Sequence, residues 1–380
     1  MYRYGSFLFG TLVVLSSMAA IASAEVVTYR ATFDMTWGPN THQAPPGAHF
    51  SNPVGSTHNA QFSAWEPGQL ASPGIQSMAE TGNTSTLAGE INAAVTAGNS
   101  ANPIFFSGGF NSPGKASTTF QASSEYSLLT LVTMIAPSPD WFVGIHGFDL
   151  SPDATWISKS VIELLPYDAG TDDGLTFIAT NAPSNPHVPI SRITVDPFPN
   201  ELPLGTLTLL RIVAGDVSEN GELDVDDIDA LNAALRDGIS EADFDLNQDG
   251  LVNADDRDFW VSDLRKTYYG DANLDGLFNT TDLITAFQAG TYEDSILLNA
   301  TWQTGDWNGD GEFTSADLVT ALADGGYDQE PRAATAVHTV PEPNAVVLAI
   351  ICCLTNVHLF RLQIKPRTCP LEMQTPNPKC

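Results

Sequence analysis

The four cysteines of this 380-residue chain, Cys352, Cys353, Cys369 and Cys380, all lie near its end. Everything before them is cysteine-free, which excludes disulfides, thiolate metal sites and a cysteine nucleophile there. Basic residues are nearly as scarce, with 15 Lys and Arg against 45 Asp and Glu and a net charge of -30. A chain without a basic face has nothing to displace the counterions of a phosphate backbone, so nucleic acid is excluded as a partner. The sequence also lacks G-x-S-x-G, H-E-x-x-H, a P-loop and G-x-G-x-x-G, the strong local signatures of hydrolases and nucleotide binders. Glu66, Glu90 and Glu163 are carboxylates of the kind that converge for glycoside hydrolysis, but nothing around them favours that role over surface positions. His42, His49 and His58 are spaced by seven and nine residues, which fits no zinc signature. The expectation is a protein that is not an enzyme.

With 43% apolar and only 16% charged residues, the chain is too apolar for a disordered acidic tail. Its length suggests two to three domains. The acidity is concentrated: residues 216–330 hold 28 acids and four bases, Arg236, Arg257, Arg265 and Lys266. A segment of that charge either repels itself into disorder or binds cations.

Both ends read as targeting segments. Arg3, the apolar run Phe7 to Ile21 and the small residues Ala22-Ser23-Ala24 form a signal peptide, with the mature chain starting near Glu25. At the other end, a linker (332–340) leads to Pro341-Glu342-Pro343, an apolar run from Asn344 to Phe360, and Arg361, Lys365 and Arg367. Seventeen helical residues would span about 25 Å, marginal for a bilayer, and the trailing bases favour the cytoplasmic side. Residues 341–367 resemble the PEP-CTERM sorting signal, which implies processing by an exosortase and delivery to the cell surface or extracellular matrix. A simple C-terminal membrane anchor is the other reading. A tail, 368–380, follows.

Four stretches of the acidic region share one spacing: DVSENGELDVDD from Asp216, DLNQDGLVNADD from Asp245, DANLDGLFNTTD from Asp271 and DWNGDGEFTSAD from Asp306. Oxygen-bearing side chains fall at positions 1, 3, 5, 9 and 12, with glycine at 6. These are Asp216, Ser218, Asn220, Asp224 and Asp227; Asp245, Asn247, Asp249, Asn253 and Asp256; Asp271, Asn273, Asp275, Asn279 and Asp282; and Asp306, Asn308, Asp310, Thr314 and Asp317. Alternate residues of a tight turn aim their oxygens at one centre, and three carboxylates per loop suit Ca2+ rather than zinc or copper. Apolar residues recur at helical spacing after the loops: Ile228, Leu231 and Leu235; Leu283, Ile284 and Phe287; Leu318, Val319 and Leu322. No matching helix precedes each loop, so these are loop-helix units of EF-hand type rather than full helix-loop-helix hands. Loop starts separated by 29, 26 and 35 residues suggest two pairs within 214–331. Such units resemble the type I dockerin repeat, which implies a cohesin partner recognised through loop positions 10 and 11. Thr280-Thr281 and Ser315-Ala316 approach that pattern, whereas Val225-Asp226 and Ala254-Asp255 do not.

Residues 25–212 are rich in Ser, Thr, Gly, Pro and aromatics, with strand-like runs at Val26 to Phe33, Ser127 to Ile135, Trp156 to Leu165 and Leu204 to Val213. Thr86 to Ala97 is the best helical candidate. The expected class is a β-sandwich with long loops. The strings TWGPNTH (Thr36 to His42), PPGAHFSNPVGSTH (Pro45 to His58), PSPDWFVG (Pro137 to Gly144) and PYDAGTDDG (Pro166 to Gly174) resemble the spondin N-terminal domain in kind and order. That resemblance implies a β-sandwich of matrix and adhesion proteins with calcium held by Asp140, Asp168 and Asp172. Asp173 is the alternative to Asp172.

The fold expectation is therefore multidomain: a spondin-like β-sandwich followed by small α-helical calcium-loop repeats. Two functional readings stand. One is an exported, calcium-binding, non-catalytic surface or matrix adhesion protein that binds extracellular polysaccharide or matrix protein, with the repeats as a stiffened spacer. The other is a dockerin-bearing component of a cohesin-dockerin assembly engaged in polysaccharide degradation.

Overall fold

The computed structural model describes residues 24–198 and 202–332. The signal-peptide segment up to Ser23, the Pro-Glu-Pro segment with its apolar run, the cysteines and the tail lie outside the described residues. Among the described residues no helix is long and apolar enough to cross a membrane.

The first half forms two antiparallel sheets face to face. In the first, β6 (Gly114–Ser123), β1 (Val26–Met35), β12 (Gly205–Arg211) and β9 (Lys159–Leu164) lie in that order. Strict alternation builds it: Tyr29, Ala31, Phe33 and Met35 of β1 point into the core, while the residues between them stay partly exposed. The second sheet runs β11 (Ser191–Arg192), β10 (Tyr167–Asp168), β8 (Trp141–Asp149), β7 (Leu128–Ala136), β2 (His49–Phe50) and β5 (Phe110–Asn111). Strand β3 (Val54–His58) pairs with β7 and with β4 (Ile104–Phe105). Strand β7 is almost continuously apolar because both its faces are covered. Leu129, Leu131 and Ile135 face the sandwich core, whereas Val132, Met134 and Ala136 face a layer of helices.

That helical layer, α1 (Pro73–Thr81) and α2 (Ser85–Thr96), packs Ile75, Met78, Leu87 and Ile91 onto the outer face of the second sheet. The sequence reading anticipated α2 within one residue and missed α1. The local signals of α1 are short but complete: Ser72 caps it by accepting the Ile75 N–H at 3.1 Å, Pro73 opens it, and Gly82 closes it in the left-handed region. Glu90, one of the three glutamates weighed for hydrolysis, is occupied here. Its carboxylate accepts the Gly74 N–H and the Ser72 hydroxyl, both at 2.7 Å, and so clasps α2 to the start of α1.

The second half has its own apolar core, around Trp260, Trp302, Trp307, Phe278 and Phe313. Each of the four loops runs directly into a helix: α3 (Val225–Asp237), α4 (Ala254–Phe259), α5 (Thr280–Gln288) and α6 (Ser315–Ala323). Helix α4 continues as a wider π turn over Trp260–Leu264. The position-9 residue is the N-cap in every case, and the position-12 aspartate completes a capping box. The third and fourth units pair reciprocally: Phe278 bridges Tyr327 beyond α6, and Phe313 bridges Tyr292 beyond α5. One apolar core also runs through all four units. Ile228 and Leu231 of α3 pack in it with Trp302 and Trp307, and Asp229 accepts the Trp302 N–H at 2.7 Å.

The first loop is docked against the edge of the sandwich. Arg30 pairs with Glu219 at 2.6 Å and Arg211 with Glu222 at 3.2 Å. Arg211 and Lys159 also donate to the carbonyls of Gly221 and Glu219, both at 2.9 Å. A Cβ on Gly221 would collide with the Ser158 carbonyl, so glycine serves the close approach as well as the turn. Exposed ion pairs contribute at most about 1 kcal/mol each; the bonds to fixed carbonyls hold the docking in place.

Glu90→Ala removes two hydrogen bonds at the start of a helix, each worth about 1 kcal/mol. The melting temperature of the sandwich should fall by roughly 3–6 °C in calorimetry.

Candidate metal centres

The four loops share a backbone that composition alone does not dictate. The glycine at position 6 is left-handed in each, with φ of 86° at Gly221, 89° at Gly250, 92° at Gly276 and 88° at Gly311. Position 4 is left-handed too, at Glu219, Gln248, Leu274 and Gly309. Three of these four residues carry a side chain, so three of the loops accept a strained position to close the turn.

The aspartates hold that turn in a common way. The position-1 carboxylates of Asp216, Asp245 and Asp271 accept the N–H groups of positions 5 and 6 at 2.7–3.2 Å. Asp306 differs by taking Gly309 at position 4 together with Gly311. The position-12 carboxylates reach back to position 2 or 3 with one oxygen and to position 9 with the other: Asp227 to Ser218 and Asp224, Asp256 to Leu246, Asn247 and Asn253, Asp282 to Ala272 and Asn279, Asp317 to Trp307, Asn308 and Thr314. Position-9 oxygens of Asp224, Asn253, Asn279 and Thr314 each accept the second helical N–H, which places them as helix caps on the loop rim. At position 5, Asn220, Asp249, Asp275 and Asp310 accept the N–H of position 7. At position 3, Asn247, Asn273 and Asn308 accept the N–H of position 5, while Ser218 donates to Asp216.

Among the described residues one group of three acidic side chains has ligand atoms all within 4.8 Å of one another: Asp306, Asp310 and Asp317 of the fourth loop. The other loops place oxygen-bearing side chains at the same five positions. Burial and like charge raise the proton affinity of several of these acids. Asp306 is pushed up to about 6, first by burial and then by Asp317 and Asp310, against the pull of the Gly311 and Gly309 N–H groups. Asp227, Asp271, Asp282 and Asp317 are also raised, with burial the largest cause. A divalent cation between such carboxylates would relieve both the desolvation and the repulsion.

In the sandwich, Asp140 and Asp168 are brought together at the end of the second sheet, where β10 pairs with β8 and Asp168 lies opposite Trp141. Asp140 is fully buried. One oxygen accepts the Thr171 and Asp172 N–H groups at 2.7 and 3.1 Å, and the other, Oδ1, has no hydrogen-bond partner. An orphaned buried carboxylate oxygen asks for a cation or a proton. Burial, and then the charge of Asp168, pushes the Asp140 carboxyl up to about 6. Asp168 is raised by burial foremost, with Asp172 and Asp173 adding to it. Asp172 spends both oxygens on the N–H groups of Gly174 and Ala182, and Asp173 takes the Ser184 hydroxyl. The three expected ligands are thus neighbours, with Asp140 and Asp168 carrying the stronger electrostatic demand. The three histidines do not converge on a common partner: His42 faces Phe198, His49 bonds the Gly47 carbonyl, and His58 bonds Thr130 and the Asn59 carbonyl.

Residues 27–202 match the Spondin_N family model. This sandwich is a spondin N-terminal domain. Homo sapiens Spondin-2 is 35% identical to the chain over 182 residues, covering 46% of the chain and 55% of its own length. Gallus gallus Spondin-1 is 33% identical over 176 residues, 44% of the chain and 22% of its own length. Xenopus laevis Spondin-1 is 30% identical over 208 residues, 51% of the chain and 26% of its own length. The chain therefore spans about half of Spondin-2 and about a quarter of Spondin-1, and the likeness rests on the spondin domain.

The Asp140 site makes a signed prediction for that spondin domain. A carboxyl raised in the folded state stabilises it below the unfolded value near 4, and the contribution is lost as pH rises through about 6. In chelator, calorimetry should show the sandwich transition weakening from pH 4 to 6, and Asp140→Asn should flatten that slope. A cation bound there would compete with the same proton, so any calcium uptake by the sandwich should weaken as pH falls below about 6.

Proposed function

We propose that the chain is an exported, non-catalytic, calcium-binding surface or extracellular-matrix adhesion protein. The spondin domain is the binding module for an extracellular polysaccharide or matrix protein, and the four loop-helix units form a calcium-stiffened stalk. The observation that carries this reading is the fourfold recurrence of one loop geometry, left-handed at positions 4 and 6 and tied by aspartates at 1 and 12. The donor set is oxygen throughout, and the charge of residues 216–330 calls for divalent cations. Asp140, Asp168 and Asp172 would hold a further ion in the sandwich. Export through the leader and delivery by exosortase processing, or retention by a C-terminal anchor, completes the reading. The spondin resemblance supports the matrix setting.

A second reading, a dockerin-type role with a cohesin partner, is favoured by one feature. Ile284 and Phe287 of α5 are 50% and 45% exposed, and Val319 and Leu322 at the same places of α6 are 67% and 58% exposed. Two helices in equivalent units that present equivalent apolar residues suit a protein partner.

Circular dichroism of the full chain in calcium and in chelator tests the first reading. Chelation should lower the helical signal and shift the lower melting transition down by about 10 °C or more, since ligand linkage at 100-fold excess contributes about 2.7 kcal/mol per site. An unchanged spectrum and melt would overturn it. Under the second reading a cohesin module should bind in calcium, and Asp282→Ala or Asp317→Ala should abolish that binding.

A further inference from the structure

One of the four loops is built differently from the rest. In three of them the position-4 carbonyl receives a cationic donor. Lys159 Nζ reaches the Glu219 carbonyl at 2.9 Å, Arg236 Nη1 reaches the Gly309 carbonyl at 3.4 Å, and Arg265 Nη2 reaches the Leu274 carbonyl. These donors stiffen a left-handed residue. Gln248, at position 4 of the second loop, has no such brace among the described residues, and it lies with Asp249, Gly250 and Leu251 on the exposed rim.

The segment leaving this unbraced loop makes contact with all three others. Arg257 Nη1 donates to the Asn308 carbonyl in the fourth loop and to Asn232 Oδ1 of α3 at 3.4 Å. Trp260, fully buried, donates its indole N–H to the Gly215 carbonyl at 3.1 Å, one residue before Asp216 of the first loop. Arg265 is the brace of the third loop. The start of this segment is fixed by the second loop itself. Asp256 accepts Leu246, Asn247 and Asn253 N–H groups at 2.8–3.2 Å, and Asn253 caps α4.

We propose that the second loop is the regulatory calcium site of this chain, and that residues 254–265 transmit its occupancy to the other three loops. The inference rests on the calcium reading above and says which site governs the rest. Without a cation, repulsion among Asp245, Asp249 and Asp256 opens a loop whose position-4 carbonyl has no cationic donor among the described residues. The first turn of α4 then loses its cap, and Arg257, Trp260 and Arg265 lose the anchor that aims them. With the cation bound, all three donors are presented together, and the other loops are held in their binding geometry. Linkage makes the effect reciprocal, so the second loop also reports on the filling of the other three. Arg257 is a positioning residue in this scheme: it touches a loop carbonyl and no metal.

Calorimetric calcium titration of the full chain tests this, with Asp249→Ala, Arg257→Met and Arg257→Lys beside the unmodified protein. Asp249→Ala should cost one ion and weaken the remaining loops by about fivefold or more, the lower end of ordinary coupling. Arg257→Met should keep the full number of ions but lose the cooperativity of uptake, and Arg257→Lys, which retains a donor, should restore most of it. Loss of one ion with the other affinities unchanged would overturn the proposal, as would unaltered cooperativity in Arg257→Met. No calcium uptake by the unmodified chain would instead overturn the calcium reading itself.

Discussion

Buried like charge is the constraint on which the second half of this protein depends. Asp227, Asp256, Asp271, Asp282 and Asp317 are fully buried and Asp306 nearly so, in a region with 28 acids and four bases. A buried carboxylate without a counter-charge costs several kcal/mol, more than one domain's margin when repeated six times. The fold meets this partly with backbone N–H groups, of which each position-1 and position-12 aspartate collects two or three. Those bonds fix the carboxylates in orientation but do not neutralise them. The raised proton affinity of Asp306 and its counterparts expresses the charge that remains, and calcium is the cation whose ligand preference matches the oxygens supplied.

The same device occurs once in the spondin domain, where the unpartnered Oδ1 of Asp140 sits beside Asp168 at the end of a sheet otherwise closed by apolar packing. A cation there would add little to the sandwich core, which is continuous from Tyr29 to Leu209. Its relation to the loops is physical rather than compositional. Arg30, Lys159 and Arg211, three of its few bases, are spent on the first loop, so the order of that loop bears on how the two halves are held.

Much of this was legible in the sequence because it is carried by local pattern. The alternation of β1, the continuous apolar run of β7 and the glycine in register in all four loops each correspond to an observed element. The run from Trp156 was read as a strand too early, since Tyr29 Oη takes the Ile157 carbonyl at 2.6 Å and pairing with β12 begins at Lys159. Helix α1 was missed because its nine residues are too short for periodicity, and its identity depends on Glu90 from another helix. The left-handed Glu219, Gln248 and Leu274 were not legible either, as nothing in those residue types announces the conformation. The links made by Arg257, Trp260 and Arg265 are tertiary, so no spacing in the sequence shows them. The oxygen-bearing positions of the loops are visible in the sequence as a pattern, but the close approach of Asp306, Asp310 and Asp317 depends on the fold.

The central claim is that this chain is built around calcium, and counting the ions tests it most directly. Native mass spectrometry of the full chain at saturating calcium should show about five ions bound, one per loop and one in the spondin domain, all removed by chelator. A chain that stays metal-free under those conditions, with its helices intact, would contradict the account.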